Sequence, residues 1–517
     1  MGTPYDYLSI MHYPADAFSN GNGSTIITKL AQYQDVIGQR LDMSHYDVVE
    51  LNKFYGCKNS ISFLEHCNFD EWCEMRVCSS TPDGWRKVRR AVWGPFSDHT
   101  HLGTDTKGFF MYLSTSRGRI GHRASLQTRR MTPKRSCKVQ CLEFFYCNTG
   151  SRSDRLDIWI REFDNDDDIK GTRRLISQIK GSRDPYWQLH HVTLNASKTF
   201  QVEFEGRKGS GSSSGGFSVD DINLSETECP HQTWRIQNFE KQLAMSDDWP
   251  FLFSPLYYSE EGYRYQLVVH MKEDHFGVYF RLASGINDDR LPWPCVSRQV
   301  TVTLLDQNPH IQRRMSSQKS LTTNSSAVDN DIQGKPQISG TPDIVDGQVV
   351  FFNDAIGHAF FMSTKVLSTR DFLKGGDIFL LVTMQDISPL NSEVTLPCPG
   401  VQIQTLPTND QEGYDETASC ETLTLPFKTE LRTTVPTVTP TERIKPIITT
   451  SENRFYEEES PLYNIILGIA FFSLFILFIF IVLSKCASLY KRLCSRDKRD
   501  TDTPSGEVFT VLMQRVN

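Results

Sequence analysis

Thirteen histidines are spread through the 517 residues, and their spacing decides whether the chain can hold a catalytic metal. A helical zinc hydrolase site needs H-E-x-x-H, which puts two imidazoles on one helix face and leaves the Glu as general base on the metal-bound water. No such pattern occurs. The nearest pairs are His270 and His275 in a strand-like run, and His99 and His101 in a loop-like one. Each reads as a solvated or core-satisfied histidine rather than a ligand. A second set of reactive types stands at the start of the chain, where Met11, His12 and Tyr13 are adjacent. A thioether can floor a metal site without reacting, and a phenol can donate where charge builds on an attacked carbonyl. Taken alone, Tyr13 is a core tyrosine and Met11 a packing residue.

The elements around these residues follow from local pattern. Ser44 with Asp47 three residues on, then Val48, Leu51 and Phe54 at helical spacing, predicts one short helix over 44–54. With no partner for its apolar side, that helix exposes apolar surface. Further on, the runs 108–113, 141–146 and 156–160 cluster or alternate apolar residues at strand length, with Gly and Ser between them. A second set, 233–239, 254–258, 262–267, 278–282, 300–305 and 377–382, keeps a period of two, so a second sandwich is expected. Residues 315–346, rich in Ser, Thr, Asn and Gln, read as a solvated loop interrupting it.

Composition bounds the rest. A chain of 517 residues should hold about three domains at ~150 residues each. The net charge of -7 gives no basis for nucleic-acid binding. Thirteen cysteines, eleven of them ahead of an apolar segment, together with N-x-S sequons at Asn22, Asn195, Asn223 and Asn324, point to an oxidising secretory compartment. That segment, residues 463–483, carries no charge and would reach about 31 Å as a helix at ~1.5 Å per residue, enough to span a bilayer. Glu457–Glu459 precede it and Lys485, Lys491, Arg492, Arg496, Lys498 and Arg499 follow it, which predicts a single-pass type I protein of the plasma membrane with residues 485–517 in the cytoplasm. Cys486 and Cys494 are palmitoylation candidates or reduced cytosolic thiols. Residues 389–460, rich in Thr, Pro and Glu, read as a stalk.

Ser9-Ile10-Met11-His12-Tyr13, with Ile37-Gly38-Gln39-Arg40-Leu41, Asp47 and Tyr55-Gly56-Cys57, resembles the close of an astacin peptidase domain, whose Met-turn this would be. The resemblance implies that Met11 floors a zinc site and Tyr13 faces the zinc or the oxyanion. Residues 1–57 would be the C-terminal remnant of that α+β domain. Met1 lies a few residues before the turn, no signal peptide is evident, and Cys57 has no upstream partner, so an N-terminally truncated form is expected. Residues 63–229, with His66-Cys67-Asn68-Phe69-Asp70 and Gly216-Phe217-Ser218-Val219-Asp220-Asp221-Ile222, resemble a MAM domain, a β-sandwich adhesion module. In that family framework cysteines pair early with early and late with late, or first with last. Cys67, Cys73, Cys78, Cys141 and Cys229 are therefore disulfide candidates whose connectivity stays open. Residues 231–388, opening on Thr233-Trp234-Arg235-Ile236-Gln237-Asn238-Phe239, resemble a MATH (TRAF-like) domain.

The order astacin end, MAM, MATH is that of the meprins. The fold class expected is thus multidomain and mainly β, with two β-sandwiches, a stalk and one transmembrane helix. The resemblance implies a membrane zinc metalloendopeptidase acting on peptide or protein substrates, with homo- or hetero-oligomers forming through MAM and MATH. Zinc is expected in the full-length family member and none in this chain alone. The alternative is a non-catalytic MAM/MATH membrane protein for adhesion or subunit pairing. Two departures are visible. The loop His101–Lys107 lacks the cysteine by which meprins link subunits, and only Cys398 and Cys420 lie where an EGF-like module would need six.

Overall fold

In the computed structural model, residues 2–21, 23–56, 63–79, 83–180, 184–244, 250–324, 326, 328–388 and 419–423 are described. The first sandwich is built from two six-stranded antiparallel sheets. One runs Arg86–Val88, Phe110–Ser114, Gly216–Ser225, Gln140–Asn148, Asp184–Leu194, and Phe63–Cys67 also pairs with Gly216–Ser225. The other runs Ser419–Leu423, Met75–Ser79, Arg123–Thr128, Thr199–Arg207, Arg155–Phe163, Thr172–Ile179. Alternate residues of both sheets meet between them: Phe144 and Phe204, both fully buried, touch edge to face at 5.0 Å. Burying such a side chain contributes about 1.5–3 kcal/mol towards offsetting the ordering of the strands.

The second sandwich pairs a four-stranded sheet, Gln232–Ile236, Ile378–Asp386, Arg298–Leu304, Ser317–Thr322, with a seven-stranded one. The latter runs Phe251–Phe253, Arg264–Met271, His275–Ala283, Gln348–Phe352, Thr341–Val345. Tyr257–Tyr258 adds to Arg264–Met271, and Ile356–Ser363 adds to His275–Ala283. The period-two runs at 300–305 and 377–382 are neighbours in register, Val302 opposite Val382.

Two expectations are corrected here. Residues 315–346 are not one loop. Ser317–Thr322 pairs residue by residue with Arg298–Leu304, two short helices follow at Asn330–Gln333 and Pro336–Ser339, and Thr341–Val345 forms a hairpin with Gln348–Phe352. An edge strand faces water on one side, so Ser317–Thr322 needs no apolar run and its composition looks like that of a loop. The hairpin turns on Asp346 and Gly347 with φ of 51° and 77°, the left-handed pair that a two-residue turn requires. Nor does the stalk claim all of 389–460: Ser419–Leu423 is an edge strand of the first sandwich, paired with Met75–Ser79 and held by a Cys78–Cys420 disulfide.

The two sandwiches share a buried seam. Phe110, Phe145 and Trp187 of the first pack in one cluster with Leu305 and Phe379 of the second. The loop ahead of the Phe110 strand also lies on the second sandwich. A Cβ on Gly375, at φ 61°, would meet Leu102 Cδ2 at 2.8 Å, so this contact requires glycine. Residues 1–56 carry the helix His45–Tyr55, capped by Ser44 and ended by Gly56 at φ 62°. Its Val48, Leu51 and Phe54 are exposed, as anticipated for an unpartnered apolar side. Leu41 packs against the second sandwich.

Among the described residues no helix is long and apolar enough to cross a membrane. The apolar run 463–483, the tail 485–517, most of the stalk, Cys57 and Asn22 lie outside the described residues.

Candidate functional site

The Met11–Tyr13 turn is held by the cap of the helix that follows it. Asp47 closes a capping box with Ser44, and its carboxylate also accepts Ser9 Oγ at 2.6 Å and the Ile10 N–H at 2.9 Å. Burial raises the Asp47 pKa, but the bonds from Ser9, Ile10 and Ser44 outweigh it and hold the carboxyl below its ordinary value. From the other side Gln39 donates to the Leu8 carbonyl at 2.7 Å and Arg40 to the His12 carbonyl at 3.1 Å. Gly38, at φ 80°, passes so close to Pro14 that a Cβ would sit 2.3 Å from its Cα. The residues 37–41 and Asp47 are therefore the scaffold of the turn.

Met11 and His12 of the turn line a cleft of about 380 Å³ with Tyr5, Asp6, Asp47 and Glu50. Met11 is 81% exposed and Tyr13 58% exposed. His12 is the one imidazole on the described wall of the cleft. Its Nδ1 donates to the Tyr13 carbonyl at 2.6 Å, which leaves Nε2 to accept from Tyr5 Oη, also at 2.6 Å. That lone pair is in use. The residues present do not fit a zinc peptidase centre, whose three-ligand set needs imidazoles this cleft does not supply.

A denser set of titratable groups lies where the sandwiches meet. His99 is fully buried, stacked 3.4 Å above Phe145, with its backbone N–H on Asp220 at 2.7 Å and Nδ1 2.6 Å from Asp221. Lys374 of the second sandwich donates to the carbonyls of Thr100 and Gln307 at 3.1 and 2.7 Å. Burial lowers the His99 pKa, and it raises that of Asp220 well above the carboxylate range, aided by Asp221 and Asp98. Asp221 is pulled the other way: burial raises it, but His99, Lys374 and Thr100 prevail and keep it ionised. Beside this network Asp70, Asp98 and His101 converge, with His101 Nδ1 2.7 Å from Asp98 and 3.5 Å from Asp70. Asp70 Oδ2 is buried with His101 Nδ1 as an ion-pair neighbour but no hydrogen-bond partner, and burial followed by the Asp98 charge raises its pKa. Two carboxylates and an imidazole at this spacing can take a divalent cation, which would favour the charged form of Asp70.

Of the histidines weighed from sequence, His270 stacks on Phe251 at 4.1 Å and His275 pairs with Asp274 at 2.6 Å, and neither meets a second ligand. His99 is core-satisfied. His101 is not merely solvated, and Asp70 and Asp98 were missed as its partners; the acid–His spacing of Asp98-His99-Thr100-His101 was the available signal. The cysteine candidates resolve into Cys67–Cys73, Cys141–Cys229 and Cys78–Cys420. Asn195 is half-buried and Asn324 exposed. Asn223 corrects the sequon reading. It is fully buried, donates to the Asp221 and Pro309 carbonyls and accepts the Ile311 N–H, so a glycan has neither space nor a free amide there.

The fold and its seam define a tandem of two β-sandwiches, and comparison with known proteins gives the class. Residues 67–230 match the family model of the MAM domain, meprin/A5/mu, residues 231–384 that of the MATH domain, and residues 1–56 that of the astacin peptidase family. Meprin A subunit beta of Homo sapiens is 43% identical over 412 residues, 78% of this chain and 58% of that protein. Meprin A subunit alpha of Rattus norvegicus is 36% identical over 417 residues, 78% of this chain and 55% of that protein. A MAM domain-containing glycosylphosphatidylinositol anchor protein 1 of Rattus norvegicus is 31% identical over 187 residues, 34% of this chain and 18% of that protein. The chain is a relative of the meprin subunits, with their MAM and MATH domains behind the end of an astacin domain. It spans a little over half the length of the meprins it matches.

Proposed function

We propose that this chain belongs to a meprin-like zinc metalloendopeptidase subunit at the cell surface, its MAM–MATH body holding the peptidase segment on a membrane stalk. One observation carries the reading: the ordered matches to astacin, MAM and MATH, with 43% identity over 412 residues to a meprin subunit. Zinc belongs to the full-length family member, where it would supply the activated water. The 517 residues contain no H-E-x-x-H, so the chain taken by itself is proposed to be inactive, with Tyr13 and Met11 serving only beside such a helix.

The test compares this chain with the same chain preceded by an astacin segment carrying the zinc helix, each assayed on a fluorogenic peptide with and without chelator. Chelator-sensitive cleavage by the extended protein, lowered at least tenfold by Tyr13→Phe, supports the reading. A folded extended protein that never cleaves would refute it. The exposure of Met11 and Tyr13 favours a second reading for the bare chain, a non-catalytic module that pairs with an intact subunit through its sandwiches. Light scattering of the chain, alone and mixed with the extended form, separates a monomer from a complex.

A further inference from the structure

The seam between the sandwiches carries a second constellation that the peptidase reading does not use. His66 is on the strand Phe63–Cys67 of the first sandwich, Glu71 follows in the next loop, and His310 lies in the second sandwich. The two imidazoles stack at 3.8 Å with 26° between their planes. One donor atom from each of the three residues lies within 4.8 Å of the others.

The neighbours of His66 fix its tautomer. Asn223 Nδ2 donates to the Asp221 and Pro309 carbonyls at 3.1 and 2.9 Å, so its Oδ1 is the atom turned to His66 Nδ1 at 3.1 Å. An amide oxygen accepts, so Nδ1 carries the proton and Nε2 is left as a lone pair. His66 Nε2 is buried and meets no partner, and neither does His310 Nδ1. Burial lowers the pKa of His66, and burial with the charges of His66, Arg313, His45 and Arg314 lowers that of His310 to about 4. The Nε2 of His66 left without a proton is the form that binds a metal. Glu71 is exposed, with the Arg313 guanidinium 4.0 Å away as its competing partner.

Two unpartnered imidazole nitrogens beside one carboxylate are the donor set of a borderline transition metal, not of calcium or magnesium. Bonds of about 2.0–2.2 Å to such an ion require the three donors to close in, which a rotation of the exposed Glu71 and an opening of the ring stack provide. We propose that His66, Glu71 and His310 form a zinc-class metal site that clamps the MAM sandwich to the MATH sandwich, separate from any peptidase zinc. The ion binds only where both sandwiches are docked, so it stabilises the docked state by mass action. Because the three ligands come from residues 66–310, the site does not depend on the peptidase reading.

The test is a titration of the metal-free full chain with Co²⁺, read by visible d–d absorption, with Zn²⁺ as displacing ion. One Co²⁺ per chain, no intense near-ultraviolet thiolate band, and a rise in unfolding temperature are expected. Glu71→Gln, an exposed substitution that leaves the fold intact, should weaken binding at least tenfold, and His310→Ala should abolish the band. His270→Ala, which lies away from the seam, should leave it unchanged. A folded chain that gives no band, a band of thiolate origin, or a band indifferent to both Glu71→Gln and His310→Ala overturns the site.

Discussion

Arg314 of the MATH sandwich donates to Glu143 of the MAM sandwich at 2.5 Å, and both side chains are more than nine-tenths buried. His191 Nε2 lies 3.0 Å from the other carboxylate oxygen. Burial raises the Glu143 pKa, but Arg314 and His191 outweigh it and bring it down to about 2. A depressed carboxyl stabilises the fold above its ordinary value, 4.5, and that contribution drains away as pH falls from there towards 2. Arg314→Met leaves a buried charge alone and should cost about 3–5 kcal/mol at neutral pH. The double variant with Glu143→Gln should recover part of that loss and flatten the acid limb. Urea unfolding at neutral pH and near pH 3 measures both. Equal midpoints for wild type and Arg314→Met would show that the pair does not bind the sandwiches together.

Glycan occupancy should separate the sequons by burial. Protein made through a secretory pathway should carry glycans at Asn324 and Asn195 and none at Asn223, as read by mass spectrometry before and after glycosidase treatment. Asn223→Gln should leave the glycan mass unchanged and still lower the unfolding temperature, because the amide links Asp221, Pro309 and Ile311 across the seam. A glycan found on Asn223 would mean that this part of the seam forms differently.

The strands of both sandwiches were legible because their residues alternate or cluster: Phe144 and Val302 lie in runs that only a two-faced or buried sheet explains. The helix was legible from Ser44 and Asp47 with Val48, Leu51 and Phe54 at helical spacing. What composition concealed were edges. Ser317–Thr322 and Ser419–Leu423 present polar residues because one side of each faces water, and the second is tied to a partner strand 342 residues away in sequence, which no local pattern encodes. The Asp346–Gly347 turn was a readable signal that the polar surroundings outvoted. For the site, Met11 and Tyr13 were identifiable by resemblance and Asp98 with His101 by their spacing, but the approach of Asp70 depends on how the first sandwich packs, and the convergence of His66 with His310 depends on how two domains dock. Spacing along the chain carries no trace of that.

The Cys78–Cys420 bridge is the covalent hold on the Ser419–Leu423 strand. Cys420→Ser should cost about 2–5 kcal/mol, the usual loss for a native disulfide in an extracellular fold. Its effect should also reach Met75–Ser79, which would then become the sheet edge. Hydrogen exchange at Val77, which faces Glu421 in register, is the local readout, and thermal unfolding is the global one. Unchanged exchange at Val77 would mean that the strand stays paired without the sulfur link.

Asp47 does two tasks that can be separated by substitution. Ser44→Ala removes the helix cap and should cost the helix about 0.5–2 kcal/mol. Asp47→Ala removes the reciprocal bond to the cap and also releases Ser9 and Ile10, so it should loosen the Met11–Tyr13 turn as well as the helix. Hydrogen exchange should then show Val48 exposed by both variants, and the Ile10 amide, which Asp47 accepts at 2.9 Å, exposed much more by Asp47→Ala. The Asp47 carboxyl lies below its ordinary value of 3.8, so its share of the anchoring is present above that pH and is lost as acid protonates it. Ile10 exchange, corrected for its intrinsic pH dependence, should therefore lose protection on going below pH 3.8 in the wild type and show no such step in Asp47→Ala. If Ile10 exchanges alike in Asp47→Ala and Ser44→Ala, the helix cap does not anchor the turn, and some other contact, with Gln39 and Arg40 first in line, must hold Tyr13 in place.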